Sequence, residues 1–314
     1  MTNQVLLFYK YVTIEDPRGL AAWVKTRAEH FGFTGRVIIA EEGINGTLEG
    51  STENTEAFAL EILSADSPVS GIFSDMLIKR SEGTGEAFPK LSVKVRMEIV
   101  GTRFSPYDAD PRVRTAPRVS AEELKQMYEN EEDFVVIDMR NSYEIASGKF
   151  KNTIDPGLGN SRDLPNALPA LEPLKKKKVI TVCTGGIRCE KMSALLLSNG
   201  FENVSQLENG IHGYMEKYPG EDFEGSLYTF DQRKVMDFGG DRAVIGTCYK
   251  CGISSEQYVN CANLLCHKHF IVCDSCMNDD GSAVCSNECK VIFANNMVGI
   301  ADSKQTLTTE NVQA

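Results

Sequence analysis

The apolar run Val179 to Val182 passes directly into Cys183-Thr184-Gly185-Gly186-Ile187-Arg188, and Cys189 to Ser198 then reads as a helix closed by Gly200. A run with no polar face suits a buried strand, and strand, loop and helix in succession are the unit of an α/β layer. No other feature constrains the fold as much. It places Cys183 at the carboxyl end of a strand and the amino end of a helix, where backbone N–H groups converge on an anion. Gly185 and Gly186 can take positive φ and let the backbone approach closely, while Arg188 adds a fixed charge; both effects lower a thiol's pKa. We therefore expect Cys183 to be a reactive thiolate in an anion-binding loop formed by Thr184, Gly185, Gly186 and Ile187, with Arg188 assisting. The competing reading is a small buried cysteine that ends a strand.

The same layer begins upstream. Ser120-Ala121-Glu122-Glu123 is a capping box that opens a short helix to about Tyr128, and Phe134 to Met139 is a second buried strand. Residues 119–222 are read as one α/β domain. Asp138, Arg140 and Glu144 at the strand end suit either acid–base chemistry or a structural ion-pair network. Cys189, six positions after Cys183, suits a resolving thiol or simple packing.

A chain of 314 residues has room for two or three domains. The first begins with the apolar run Val5 to Val12. Asp16-Pro17 follows, an N-cap and a proline at N1, on a helix ending near Gly32. Then come a strand from Arg36 to Ala40, a turn-like Glu42-Gly43-Ile44-Asn45-Gly46, a short strand from Thr47 and a helix capped by Ser51. Strands near Met76 to Arg80 and Leu91 to Ile99 complete a β-α-β-β-α-β order, a ferredoxin-like α+β domain over residues 1–100. Pro106, Pro111 and Pro117 break any periodicity, so 101–118 reads as a linker.

The start, Met1 to Lys10, lacks a basic segment followed by a long apolar stretch, and no run of about 18 apolar residues occurs. The expectation is a cytoplasmic protein with no membrane partner. In a reducing compartment ten cysteines point to metal or catalysis rather than disulfides. Eight of them fall in 223–314 as Cys248-x2-Cys251, Cys261-x4-Cys266, Cys273-x2-Cys276 and Cys285-x3-Cys289, the knuckle spacing of two structural zinc sites. The pairs can combine first with third and second with fourth, or in sequence; His267 or His269 can replace a ligand, and a small core of reduced thiols is the alternative. The polar end, 303–314, is expected to fray.

The residues Asp138-Met139-Arg140-Asn141, Tyr143-Glu144, Gly148 and Phe150, followed by the Cys-x-x-Gly-x-Arg loop, resemble a rhodanese domain. A six-residue loop suits a sulfur-sized substrate, whereas a cysteine phosphatase would use one more residue. Three stretches widen the match: Ala40-Glu41-Glu42-Gly43-Ile44-Asn45-Gly46-Thr47, Phe88-Pro89-Lys90-Leu91-Ser92-Val93-Lys94-Val95-Arg96 and Cys183 through Lys191. With the terminal cysteines, the chain resembles the bacterial tRNA uridine hydroxylases over about residues 5 to 290. One departure is Lys151-Asn152-Thr153-Ile154-Asp155-Pro156, where the family would have small residues and an Asn before the proline.

That resemblance implies oxygen-dependent conversion of the wobble uridine to 5-hydroxyuridine in the tRNA anticodon loop, with molecular oxygen as co-substrate and Cys183 essential. The rivals are a persulfide-forming sulfurtransferase, with a sulfur species or small anion at the loop, and a non-catalytic tRNA-binding scaffold. No flavin or nicotinamide motif occurs, nor a His and carboxylate triad suited to iron. The net charge of −11 argues against a surface coated for nucleic acid. Between Lys79 and Arg118, however, nine Lys or Arg outnumber five Asp or Glu. Lys175 to Lys178 form a second basic run, most simply solvated surface. Lys90, Lys94 and Arg96 alternate on the expected strand, share a face, and are the candidate RNA contacts.

Overall fold

The computed structural model describes residues 2–64, 71–236, 238–239 and 242–295; the polar end at 303–314 lies outside them. The first domain runs β1 (Asn3–Tyr11), α1 (Pro17–His30), β2 (Thr34–Ala40), β3 (Gly43–Ser51), α2 (Thr52–Leu63), β4 (Ile78–Gly83) and β5 (Leu91–Val95). Its sheet has the order β4-β1-β3-β2-β5. The first four strands form the expected ferredoxin-like arrangement, and β5 adds parallel to β2 at the edge. Asp16 caps α1 from its side chain, with Pro17 in the first turn, as read from the sequence.

Two local expectations change. The turn-like Glu42 to Gly46 is mostly strand: Glu41 and Glu42 alone turn the chain, and β3 runs from Gly43 between β1 and β2. Its glycines serve packing, because a Cβ on Gly46 would lie 2.3 Å from the Phe8 ring. The strand expected to reach Ile99 stops at Val95, and the Glu98 carboxylate accepts from the N–H groups of Thr102 and Arg103 in the turn beyond.

Leu6 and Phe8 of β1 point into the core with Leu20 and Val24 of α1 and Phe58 and Ile62 of α2. Strand periodicity then sends Leu7, Tyr9 and Tyr11 to the opposite face. Both helices lie on the core face, so that opposite face is open to the next domain.

The stretch 101–118 carries the short α3 (Pro106–Ala109) and packs against the second domain, burying Thr102, Ala109 and Ala116. That domain runs β6 (Arg118–Val119), α4 (Ala121–Glu129), β7 (Phe134–Asp138), α5 (Ser142–Ile145), β8 (Gly148–Phe150) and β9 (Thr153–Ile154). It continues through α6 (Leu164–Leu171), β10 (Lys178–Val182), α7 (Ile187–Ser198), β11 (Asn203–Leu207) and α8 (Gly210–Lys217). The sheet order β6-β11-β10-β7-β9 is parallel throughout. Ile137 and Val179 pack into one apolar cluster, Val136, Ile180 and Val182 into another, so the sheet is covered on both faces.

The Cys-rich region follows. β12 (Phe223–Gly225) pairs with β8, β13 (Leu227–Tyr228) with β14 (Val235–Met236), and β15 (Tyr258–Asn260) with β16 (His269–Ile271). The fold is thus a ferredoxin-like α+β domain, a parallel α/β domain and a small region of clustered cysteines. No helix among the described residues is long and apolar enough to cross a membrane.

Candidate active site

The expected loop lies at the carboxyl end of β10, the central strand of the parallel sheet, and α7 starts at Ile187 rather than Cys189. Gly186 is the N-cap with φ +99°, a left-handed conformation that admits glycine. The turn aims backbone donors at the sulfur: Gly186 N–H lies 3.2 Å from Cys183 Sγ. Burial raises the Cys183 pKa. It is outweighed by the Cys189 S–H, the Arg188 charge and the N–H groups of Cys189 and Arg188, which together bring it down to about 5. Burial and the neighbouring Cys183 push Cys189 upward, so Cys189 serves the thiolate as a donor and is poorly suited to attack as a resolving thiolate.

Arg188 departs from the expected free anion binder. Its Nη1 and Nη2 donate to the two oxygens of Glu144 at 2.6 and 2.8 Å, and Nη2 also reaches Thr184 Oγ1 at 3.1 Å. The guanidinium lies over the Phe230 ring, 5.5 Å from its centroid. The fork is filled from within the protein, and the loop amides gather on the sulfur itself. Asp138 and Arg140 form a second buried pair, Nη2 to Oδ2 2.7 Å, with Arg140 Nη2 also donating to Gly148 O at 2.6 Å. Fully buried and mutually satisfied, they are scaffold to the strand end.

Cys183 itself is completely buried. The cover comes from the open face of the first domain. Tyr11 Oη donates to Ile187 O at 3.3 Å, Tyr9 Oη to Glu190 Oε1 at 3.4 Å, and Lys79 Nζ to Gly185 O at 2.7 Å and Asn209 O at 2.6 Å. Lys191 reaches back to Glu42 and Glu98 at 2.8 and 3.2 Å. From the Cys-rich region, Arg233 donates to Ser81 Oγ at 3.1 Å and Glu82 O at 3.0 Å. A sequence reading that stays within one domain misses Lys79, Tyr9 and Tyr11. The available signal was the second apolar face of β1, Leu7 and Tyr9 alternating with Leu6 and Phe8.

Behind the loop, Glu190 is buried against Arg118 Nη2 at 2.5 Å and Gln206 Nε2 at 3.1 Å. In the divergent stretch, Asp155 accepts from Ser142 Oγ and Gly157 N–H, which ties it to the start of α5 and its own turn. Lys90, Lys94 and Arg96 are all exposed, but only Lys94 lies within β5. Arg96 N–H still donates to Ile39 O at 2.9 Å, extending the edge past Val95.

The eight terminal cysteines form two groups, Cys248 with Cys251, Cys273 and Cys276, and Cys261 with Cys266, Cys285 and Cys289. In each, the sulfurs lie within 4.8 Å of one another. The first pair thus combines with the third and the second with the fourth. His267 and His269 are in neither group; His269 stacks on Tyr258, with centroids 5.1 Å apart.

Three family models match the chain: a UPF0176 acylphosphatase like domain over residues 3–99, a Rhodanese-like domain over 120–217 and a Rhodanase C-terminal segment over 224–290. A tRNA uridine(34) hydroxylase of Cytophaga hutchinsonii is 41% identical, covering 91% of this chain and 89% of its own length. Those of Corynebacterium kroppenstedtii and Staphylococcus haemolyticus are 39% and 38% identical, over 87% and 99% of this chain and 93% and 97% of theirs. With relatives of this identity aligned over most of its length and of theirs, the chain belongs to the tRNA uridine(34) hydroxylase family.

Proposed function

We propose that this chain hydroxylates the wobble uridine of tRNA at C5, with the Cys183 thiolate as the reactive group. The observation that carries the chemical part is the set of donors on the sulfur, Gly186 N–H at 3.2 Å, the Cys189 S–H and the Arg188 charge, which keep it ionised at neutral pH. A thiolate is a nucleophile able to add to the electron-poor C6 of a uracil and so enrich C5. Dioxygen is the oxidant: one atom stays on C5 as hydroxyl and the other leaves as water, with two electrons from a reductant and two protons. Loss of the original C5 proton then breaks the C6–S bond, restores the ring double bond and frees the thiolate.

A base inside a stacked anticodon loop is unreachable, so it is extruded toward the sulfur. Because Tyr9 and Tyr11 cover Cys183, their side chains move aside to admit it. Lys90, Lys94 and Arg96 at the exposed edge hold phosphates and set the register of the RNA.

The two cysteine groups hold one zinc each. Four thiolates around a tetrahedral zinc, with Zn–S of about 2.3 Å, sit about 3.8 Å apart. Here Cys251 and Cys273 are 3.5 Å apart, Cys266 and Cys285 3.4 Å, and Cys285 and Cys289 3.7 Å. With no ligand position open, such sites are structural.

The test is a reaction of the purified chain with unmodified tRNA and a reductant under isotopically labelled dioxygen. Label in 5-hydroxyuridine is the expected result. Label drawn from water, or thiosulfate-to-cyanide sulfur transfer in place of hydroxylation, overturns the reading.

A further inference from the structure

We propose that Lys79, contributed by the first domain, is a positioning residue for the Cys183 loop, clamping the carbonyls of Gly185 and Asn209. The proposal rests on Cys183 being the reactive thiol.

The loop is suspended from two sides. From α8, Ile211 N–H donates to Cys183 O at 2.9 Å and His212 N–H to Thr184 O at 3.0 Å. Those donors reach the loop because Asn209 and Gly210 turn the chain with φ of 63° and 64°. A Cβ on Gly210 would lie 2.5 Å from Cys183 O, which shows how closely the two segments approach. The other side is held by Lys79 Nζ, at 2.7 Å from Gly185 O and 2.6 Å from Asn209 O. Two carbonyls from two segments therefore meet on one ammonium. Without it, Gly185 O would lose its donor in a desolvated interface, and Asn209 O would keep only the longer bond from Gly213 N–H at 3.3 Å.

Lys79 has this reach because of β4. Ile78 points into the core of the first domain, and its neighbour necessarily points to the opposite face, toward the second domain. Burial brings the Lys79 pKa down to about 8, opposed by Cys183 and, to a smaller degree, by Glu216, Cys189 and Glu208. The ammonium is retained at neutral pH.

The charged and titratable groups facing the sulfur are thus Arg188 and Cys189 from α7, Tyr9 and Tyr11 from β1 and Lys79 from β4. Glu190 of α7 faces Tyr9, and His212 of α8 faces Lys79. Tyr9 and Tyr11 are held in their neutral form by burial and the nearby carboxylates, so among the residues that the first domain places against the loop, Lys79 is the cation. Docking of that domain is in this way coupled to the reactivity of the sulfur.

The experiment compares the full-length zinc-loaded chain with Lys79→Met and Lys79→Arg. Alkylation of Cys183 by iodoacetamide is followed across pH by peptide mass spectrometry, and tRNA hydroxylation is measured alongside. Access to the buried thiol sets the plateau of the alkylation profile, whereas ionisation sets its midpoint. Lys79→Met should move the midpoint upward and lower the rate at pH below it about threefold. It should also lower kcat about tenfold with KM for tRNA little changed, because a loop displaced by a fraction of an ångström misplaces the reacting atom. Lys79→Arg should restore most of both. If Lys79→Met melts below the assay temperature, Lys79→Gln, which keeps a donor without the charge, is read in the same way. A variant lacking the ammonium with an unshifted midpoint and unchanged kcat overturns the proposal. Alkylation reports on Cys183 whether or not the thiol serves hydroxylation, so a flat result rejects the role of Lys79, whereas an active Cys183→Ser enzyme rejects the proposed function.

Discussion

At the scale of residues, the centre is organised by pairing. Glu144 fills the fork of Arg188, Asp138 that of Arg140, and Gln206 and Arg118 hold Glu190, so charges buried at the end of the sheet are met by partners. His212 is a different case. Its ring lies against Phe238, 5.1 Å between centroids, on α8 beneath the loop. Burial, followed by the charges of Lys79 and Arg233, brings its pKa down to about 4.

The unfolded chain takes up this proton near pH 6.5 and the folded one only near 4. Between those values the unfolded state binds more protons, so the His212 contribution is fully present above 6.5 and is lost as pH falls toward 4. The difference corresponds to about 3 kcal/mol at the acid end. We expect the gap between melting temperatures at pH 7 and pH 4.5 to narrow in His212→Gln. An unchanged gap would mean that the ring is solvated in solution. The turn at Cys183 and the placing of its glycines were legible in sequence because they are encoded within six consecutive residues. The pairing of Arg188 with Glu144 was not, since it joins positions that only the fold brings together.

Among the elements, periodicity carried most of the information. The alternation along β1, the proline and aspartate at α1 and the capping box of Ser120 and Glu123 at α4 mark where elements start and which face they bury. Glycines misled where packing, not turning, required them: Gly46 lies in the middle of the sheet under Phe8. The proline-rich stretch 101–118 folds onto α7 because Phe104, Ala109 and Ala116 are apolar, and Ser198 Oγ donates to Asp108 O at 2.7 Å.

In the Cys-rich region, spacing alone allowed two pairings of the knuckles. The strands β15 and β16 interleave them. Metal analysis of the gently purified chain should find two zinc ions per molecule, and Cys251→Ser together with Cys276→Ser should remove one while leaving the second. Chelation should expose the region 248–289 to protease with little effect on the other two domains. Less than one zinc per chain would contradict the assignment.

For the molecule as a whole, the decisive arrangement is the seating of one domain's open sheet face on the other's Cys183 loop. Sequence separated the regions but could not place them, because Lys79 and Gly185 are 106 positions apart. The same seating leaves β5 at the exposed edge with Lys94 and, beyond it, Arg96. Reversing both charges should weaken tRNA binding about tenfold or more and flatten the slope of log affinity against log salt by at least about 1.5. Unchanged affinity and slope would move the RNA to another surface. Lys175 and Lys178 are already engaged, with Glu172 and Glu132, which favours the edge over that run.

The most direct measurement is nucleoside mass spectrometry of tRNA from cells lacking this protein, restored with either the native chain or Cys183→Ser. A thiolate-centred hydroxylase predicts that 5-hydroxyuridine and its derivatives return with the native chain and stay absent with the serine variant. Full return with Cys183→Ser, or levels untouched by loss of the protein, would contradict it.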